Sequence, residues 1–262
     1  MAKTLRPLVV WSLVKELRTA AEDTRPLLVS GPLAAQLLKQ LGEGAAPGAL
    51  RVDGHPRDAS VLVRIVGGAP TDEDARELRA SRRARTPVVA VQMGAEHVDI
   101  PYVLATDVVR CRPGEGFPVE EIAGAVAARL GEVGTGLAAR VPLLREPLCR
   151  QLIDSFSRRN GVIGAAVFVP GADFAVLTLN QLRLVLRLAS AHGIEVDQQR
   201  LPEILATVGA GFGFRAVARQ LLGTVPIAGW AVKGGVAYGG TRALGEAAHR
   251  YFATAAETAA PA

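Results

Sequence analysis

The sequence predicts an α/β domain built on a parallel sheet, followed by an α-helical domain. Strand-like and helix-like segments alternate from Arg25 to about residue 132, which is the pattern of a parallel sheet covered by helices. Aromatic residues make up only 5% of the chain, so Leu, Val, Ile and Ala must form the cores, which suits helices and parallel strands. Long apolar runs with few charges follow from residue 170 and indicate helices that contact little water.

The first domain is a regular succession of short segments. Predicted strands lie at residues 25–31, 49–54, 59–68, 86–94 and 100–111, and predicted helices at residues 32–44, 70–85 and 117–132. Thr71 with Asp74 three residues later predicts a capping box at the start of the second of these helices,. The acidic residues that fill its first turn are favoured there by the helix dipole.

A loss of apolar periodicity places the domain boundary. Residues 131–140 show no helical or strand pattern, and residues 141–161 resume a helical one,. We therefore predict an α/β domain over residues 1–135, a helical domain over residues 136–255 and a frayed, Ala-rich tail over residues 256–262. Within the helical domain, Gly193 and Gly223 are predicted helix terminators,.

The bulk composition excludes several classes of protein. The net charge of +5 is small for 262 residues, and all but four of the basic residues are arginines, which is typical of a GC-rich bacterial genome and not of a nucleic-acid-binding face. Cys111 and Cys149 are far apart and form no CxxC pair, so we expect neither a metal cluster nor a disulfide, and a reducing cytoplasm fits. The N-terminal apolar run is short and interrupted by Lys15, so we expect no secretory signal.

No catalytic motif is present in the sequence. The four histidines, at positions 55, 97, 192 and 249, are scattered, so we expect no metal site. A phosphate-binding loop needs GxxxxGK followed by Ser or Thr, whereas Gly31 is followed by Pro32 and no Lys occurs before Lys39. No GxGxxG follows this strand either,. We therefore expect no cofactor, no metal and no catalytic residues.

The segment from residue 59 to residue 94 nevertheless resembles the small GTPases in the order of its elements. Where that family has an Asn-Lys-x-Asp signature after a strand, this chain has Gln92, Met93, Gly94 and Ala95. With residues 100–111 as the last strand, the similar order of elements covers about 110 residues of the first domain. It implies a degenerate GTPase-like α/β domain that lacks the groups for reading a guanine base. A generic α/β domain is the alternative.

The second domain resembles the YcjF-like family, a bacterial domain of unknown function that often accompanies GTPase domains. The residues that carry the resemblance lie between about residues 154 and 252, and they are Pro170, Gly171, Ala172, Asp173, Gln181, Gly193, Gly223, Pro226, Gly229, Lys233, Thr241, Leu244 and Gly245. The resemblance implies a helical, membrane-associated module with a GTPase partner, in the cytoplasm or on the cytoplasmic face of the inner membrane.

Basic side chains in the second domain are the candidate interaction or membrane surface. They are Arg183, Arg187, Arg215, Arg219 and Lys233. Arg183 and Arg187 stand four residues apart, on one face of a predicted helix, where they could meet lipid headgroups or an acidic partner. The alternative is a solvated helix face.

Two further patterns concern how these helices pack. Asn180 and Gln181 stand among leucines, where they could bond to a neighbouring helix or be exposed. Small residues at four-residue spacing, beginning with Gly235 and Gly239, favour close helix approach. The best candidate membrane span, residues 161–179, contains Pro170 and Asp173, and so falls short of a clean span.

Three hypotheses of function follow from the sequence. The first is a non-enzymatic protein in which a pseudo-GTPase-like domain is joined to a helical module that contacts a membrane or a partner GTPase. The second is an enzyme that binds a nucleotide through an unorthodox loop at residues 30–35. The third is a soluble scaffold whose apolar helices are buried against each other. The sequence leaves the oligomeric state open.

Overall fold

A computed structural model describes Lys15, Thr19 and residues 22–94, 98–166, 172–195 and 230–259. The chain divides into two compact units, one formed by Ala21–Leu148 and the other containing the residues from Cys149 onward.

The first unit contains a five-stranded parallel sheet. Its strands are β1 (Leu27–Ser30), β2 (Leu50–Val52), β3 (Val61–Gly67), β4 (Val88–Met93) and β5 (Val108–Cys111), in the spatial order β2-β1-β3-β4-β5. All neighbouring strands pair in parallel. Six of the seven residues of β3 are buried, as expected of a central strand covered on both faces. The predicted parallel α/β domain is confirmed.

Three helices cover this sheet, and these are α1 (Ala34–Leu41), α2 (Asp72–Ala84) and α3 (Val119–Leu130). The step from β1 to β2 and the step from β3 to β4 run in opposite directions along the sheet. Because such crossovers are right-handed, α1 and α2 lie on opposite faces. Helix α3 contacts α1 and so shares its face. The sheet is therefore doubly wound.

The fifth strand is shorter than predicted. The sequence predicts a strand over residues 100–111, but only Val108–Cys111 pairs with β4, and Ala105–Asp107 forms a 3-10 turn. Pro101 has no amide hydrogen to give to a sheet, and Tyr102 adopts a φ of +66°, which an extended strand excludes. The chain therefore turns here before it enters the sheet.

Residues 131–140, whose sequence shows no helical or strand pattern, belong to the first unit. A 3-10 turn at Gly131–Gly134 leads into α4 (Thr135–Arg140), and a second one at Pro142–Leu144 leads into the next helix. The Arg140 guanidinium donates hydrogen bonds to the carbonyl oxygens of Asp23, Thr24 and Arg25, and its burial lowers its pKa. These contacts hold α4 against the entrance to β1, and the unit ends later than residue 135.

The second unit is helical in its described part. It contains α5 (Arg145–Ala166), which begins in the first unit, together with α6 (Ala172–Ala191) and α7 (Trp230–Ala259). Gly193 ends α6 with a φ of +79°, and the amides of Gly193 and Ile194 bond back to Ser190 and Ala189 in a Schellman motif. The predicted stop at Gly193 is confirmed, and Gly223 lies outside the described residues.

Side-chain contacts give the relative directions of the three long helices. Asn160 of α5 bonds to both Asn180 of α6 and Thr241 of α7. Cys149, 11 residues earlier on α5, lies beside His192 at the end of α6, and that histidine contacts His249 of α7. Helix α5 is therefore antiparallel to α6 and α7, which run parallel to each other.

Glycines bring α5 and α7 close together, but not those that the small-residue pattern indicated. A Cβ atom placed on Gly164 would lie 2.8 Å from Cβ of Ala237, and one on Gly234 would lie 2.9 Å from the carbonyl oxygen of Gly161. Gly235 and Gly239 have open space where a Cβ would stand. The expectation that these two permit close approach is wrong, because the contact lies one residue away on the helix.

None of the described helices is both long enough and apolar enough to cross a bilayer.

Candidate functional site

In doubly wound sheets, ligands bind at the carboxyl ends of the strands where the strand order reverses. Here that point lies between β1 and β3. The loop that follows β1 begins at Ser30 and Gly31, and the loop that follows β3 leads through Gly67 and Gly68 to the start of α2. Ser30 and Arg64 are partners in the pairing of β1 with β3, so their side chains leave the same face of the sheet, toward α2.

A buried ion-pair network occupies this face of the sheet. The Arg64 side chain is 7% exposed and is paired with Asp74 and Glu77 of α2. Its Nε donates to Oδ1 of Asp74 at 2.7 Å, and its Nη1 donates to Oε2 of Glu77. The Ser30 hydroxyl donates to the same Glu77 oxygen at 2.9 Å. One carboxylate thus joins the end of β1 to the middle of β3.

Asp74 also forms the predicted capping box. Its Oδ2 accepts hydrogen bonds from the amide and the hydroxyl of Thr71, both at 2.7 Å, and its own amide donates to the Thr71 hydroxyl. Burial raises the pKa of Asp74, but the hydrogen bonds from Thr71 and Arg64 and the charge of Arg64 together outweigh it, so the pKa is lowered,. Asp74 is therefore held as a carboxylate.

The backbone of the loop at residues 30–35 packs directly against strand β3 at Gly31, unlike a loop that wraps around a phosphate. A Cβ atom on Gly31 would lie 2.1 Å from the carbonyl oxygen of Ile65, and Gly31 adopts a φ of +101°, which glycine tolerates. Pro32 has no amide to offer. The amides of Ala34 and Gln36 donate hydrogen bonds to carbonyl oxygens of the same loop. These two amides are therefore not available to bind an anion.

This network was not predicted, although the sequence contains a signal for it. Arg64 is the one charged residue in the strand VLVRIVG. A charge in a buried strand must find partners of opposite sign. Asp74 and Glu77 stand three residues apart, which places them on the same face of a helix, and they could have been proposed as those partners.

An open groove of about 1060 Å³ runs along strand β5, at the edge of the sheet. Its lining includes Arg110, Cys111, Glu121 and the turn that contains Pro113, and none of residues 30–35. Burial, and then the nearby charge of Glu121, raise the pKa of the Cys111 thiol. A thiol held protonated is a weak nucleophile, so this groove offers no activated cysteine.

The helical unit holds a second buried polar network. Asn160 Nδ2 donates to the Thr241 hydroxyl at 2.8 Å, Gln181 Nε2 reaches the same hydroxyl at 3.3 Å, and Asn180 Nδ2 donates to Oδ1 of Asn160 at 2.9 Å. All four side chains are buried. Asn180 and Gln181 therefore bond to neighbouring helices, which is the first of the two alternatives that their sequence positions allowed.

The basic residues of the candidate interaction surface are not equally accessible. Lys233 is exposed, Arg183 is partly buried and Arg187 is only 4% exposed, while Arg215 and Arg219 lie outside the described residues. Nearly every residue from Gln181 to His192 is buried, so α6 is a central helix. Arg187 therefore lies neither on a solvated face nor where it could meet lipid headgroups, because four-residue spacing does not reveal whether a neighbour covers that face. Arg183 remains partly exposed.

The exposed charges between α5 and α7 are paired with each other. Arg242 reaches Asp154 at 2.8 Å and Glu246 at 2.9 Å, and Arg158 and Arg250 lie 4.0 Å from the same two acids. Each of these exposed ion pairs contributes little to the stability of the fold. Their alternating signs make this surface mixed in charge and not a basic stripe.

No protein-family model matches the chain, and neither the curated proteins nor the solved structures contain a match to it.

Proposed function

We propose that this chain is a non-catalytic adaptor whose α/β unit carries no nucleotide and whose helical unit binds a partner protein. The observation that carries the proposal is the position of Glu77, which accepts hydrogen bonds from Ser30 and Arg64 at the point where a doubly wound sheet would receive a ligand,. Glu77 thus joins the last residue of β1 to the middle of β3, which supports a unit that carries no nucleotide.

Electrostatics at this edge disfavour a nucleotide phosphate. Arg64 is the cation of the network, and two acidic side chains, Asp74 and Glu77, already pair with it. A phosphate would have to compete with both for one guanidinium and would be repelled by them. The loop supplies no lysine, and Pro32 removes one of its backbone amides.

The parallel sheet and the order of elements are compatible with a degenerate GTPase-like domain. Gln92 and Met93 end strand β4, and Gly94 follows, where the sequence comparison with small GTPases expects the residues that read guanine. In the sequence, Ala95 stands at the position of the base-reading aspartate, and alanine cannot accept the two hydrogen bonds of a guanine edge as an aspartate does. This supports a pseudo-GTPase-like role for the unit, as a structural platform.

For the helical unit, we propose a GTPase as the partner class, on the basis of the YcjF-like resemblance. The paired charges of Arg242, Asp154 and Glu246 fit a protein surface with charges of both signs better than a uniformly anionic membrane. Peripheral attachment to an anionic membrane through Lys233 and the predicted residues Arg183, Arg215 and Arg219 is the competing outcome, without Arg187, which is buried.

The first experiment titrates the full chain with fluorescent GTP and ATP analogues in the presence of Mg²⁺. We expect no saturable signal at concentrations up to the millimolar range. Saturable binding that is weakened by Ser30→Ala would contradict the proposal and support an enzyme that uses the loop at residues 30–35.

The second experiment compares capture of cell proteins by the wild-type chain, by Lys233→Glu and by Lys39→Glu, an exposed lysine of the other unit that serves as the matched control. We expect Lys233→Glu to lose captured proteins that bind immobilised GTP, while Lys39→Glu retains them. Cell fractionation tests the competing outcome. Retention in the membrane pellet with release by high salt would replace the protein partner with lipid headgroups.

A further inference from the structure

We propose that Cys149, His192 and His249 form a binding site for Zn²⁺ in the helical unit. The three residues lie on three different helices or helix ends, and their ligand atoms all lie within 4.8 Å of one another. The cysteines and histidines are scattered along the chain, and so the sequence predicted no metal site. Their convergence is a product of the tertiary structure.

The three side chains are held in place by the fold. Cys149 is fully buried near the start of α5. His192 follows the last residue of α6, where the Schellman motif fixes the backbone through the amide of Gly193,. His249 is half-buried on α7, and the ring of Phe252 packs 6.4 Å from that of His192, centroid to centroid. A site supported in this way is rigid before any ion binds.

Two of the three distances between the ligand atoms are close to those of a tetrahedral zinc site. With Zn–N and Zn–S distances near 2.0 Å and 2.3 Å, tetrahedral geometry places two nitrogens about 3.3 Å apart and a nitrogen about 3.5 Å from a sulfur. His192 Nε2 lies 3.1 Å from His249 Nδ1 and 3.8 Å from Sγ of Cys149. Shifts of a few tenths of an ångström would bring these two pairs to the coordination distances, and the third pair, Cys149 with His249, lies within 4.8 Å.

The chemistry of the three ligands selects the class of metal. One thiolate and two imidazoles suit Zn²⁺ and related borderline or soft ions, whereas Mg²⁺ and Ca²⁺ require oxygen ligands. None of the three ligands offers an oxygen atom. A three-ligand set leaves the fourth zinc position for water, and His249, the least buried of the three, marks the side from which water enters.

His192 Nε2 lies beside both the Cys149 sulfur and the His249 nitrogen. A zinc ion accepts the lone pairs of all three ligand atoms at once.

Zinc at this position would join α5, α6 and α7 at one end of the helical unit. The ligands are separated by 43 and 57 residues in the sequence, so the ion closes two long loops and its binding free energy adds to the stability of the fold. This inference is independent of the proposed partner binding, since it concerns the interior of the unit.

The test uses the full chain without an affinity tag, stripped of metal by a chelator and kept reduced. Co²⁺ is the probe, because a cobalt–thiolate bond gives a charge-transfer absorption in the near ultraviolet. We expect this band to saturate at one Co²⁺ per chain and to disappear when Zn²⁺ is added. Zn²⁺ should also raise the midpoint of thermal unfolding by about 5 °C or more.

Three variants test whether the charge-transfer band arises from Co²⁺ bound at the proposed site. Cys149→Ser should abolish it, and Cys111→Ser, which changes the other buried cysteine, should leave it unchanged. His249→Gln, at the least buried ligand, should weaken Co²⁺ binding at least tenfold while the circular dichroism of the helices is preserved. A folded wild-type chain without the band, or a band that survives Cys149→Ser and is lost in Cys111→Ser, would overturn the proposal.

Discussion

Arg64 Nε donates to Oδ1 of Asp74 at 2.7 Å, and this bond joins the central strand β3 to the first turn of α2. The other oxygen of Asp74 accepts two hydrogen bonds from Thr71. A single carboxylate therefore both caps a helix and fixes that helix to the sheet. The relationship explains why a charged residue is tolerated in an otherwise apolar strand.

The first prediction concerns the loss of the buried cation. Arg64→Met should lower the free energy of unfolding of the α/β unit by about 3–5 kcal/mol, because it leaves Asp74 and Glu77 as unpaired charges in a buried place. Urea unfolding monitored by circular dichroism measures the change. Arg83→Met, at an exposed position on α2, should change it by less than about 0.5 kcal/mol. Equal effects of the two variants would contradict the assignment.

The second prediction concerns acid stability. The pKa of Asp74 is lower in the folded protein than in the unfolded chain, so its contribution is fully present above the unfolded value, about 3.9. It is lost as the pH falls from there through the folded pKa. Asp74→Asn should therefore be less stable than wild type near pH 7, and the difference should shrink below about pH 4. Unfolding curves from pH 7 to pH 2.5 test this, and a constant difference would argue against it.

The third prediction concerns the polar network of the helical unit. Thr241→Val removes the oxygen that accepts from Asn160 and Gln181, and an unsatisfied buried donor costs roughly 1–3 kcal/mol. The variant should unfold at a clearly lower denaturant concentration than wild type. Thr241→Ser retains the hydroxyl and is the control. If the serine variant loses as much as the valine variant, then packing of the methyl group matters and the hydrogen bonds do not.

The fourth prediction concerns two glycines whose replacement by alanine should change the stability of the helical unit in opposite directions. Gly164→Ala should destabilise the helical unit, because the new methyl group would lie 2.8 Å from Cβ of Ala237,. Gly235→Ala, in open space on α7, should stabilise it by about 0.5–1 kcal/mol through helix propensity. Thermal unfolding of the two variants measures both signs. Stabilisation by both would mean that α5 and α7 are farther apart than described.

Much of the α/β unit could be predicted from the sequence, because the information is local. The alternation of apolar strands with amphipathic helices predicted the parallel sheet, and Thr71 with Asp74 predicted the capping box that the structure contains. The start of β5 was predicted too early, since an apolar stretch of residues does not by itself distinguish a strand from a turn around Tyr102.

The burial of Arg187 and the candidate zinc site could not be predicted in the same way. The sequence by itself determined the periodicity, the caps and the absence of a phosphate-binding lysine in the loop, since each depends on residues within a few positions of one another. Only the tertiary structure decided that Arg187 is buried and that Cys149, His192 and His249 converge. These outcomes depend on which helix faces meet, and that is set by the packing of whole surfaces whose members lie dozens of residues apart.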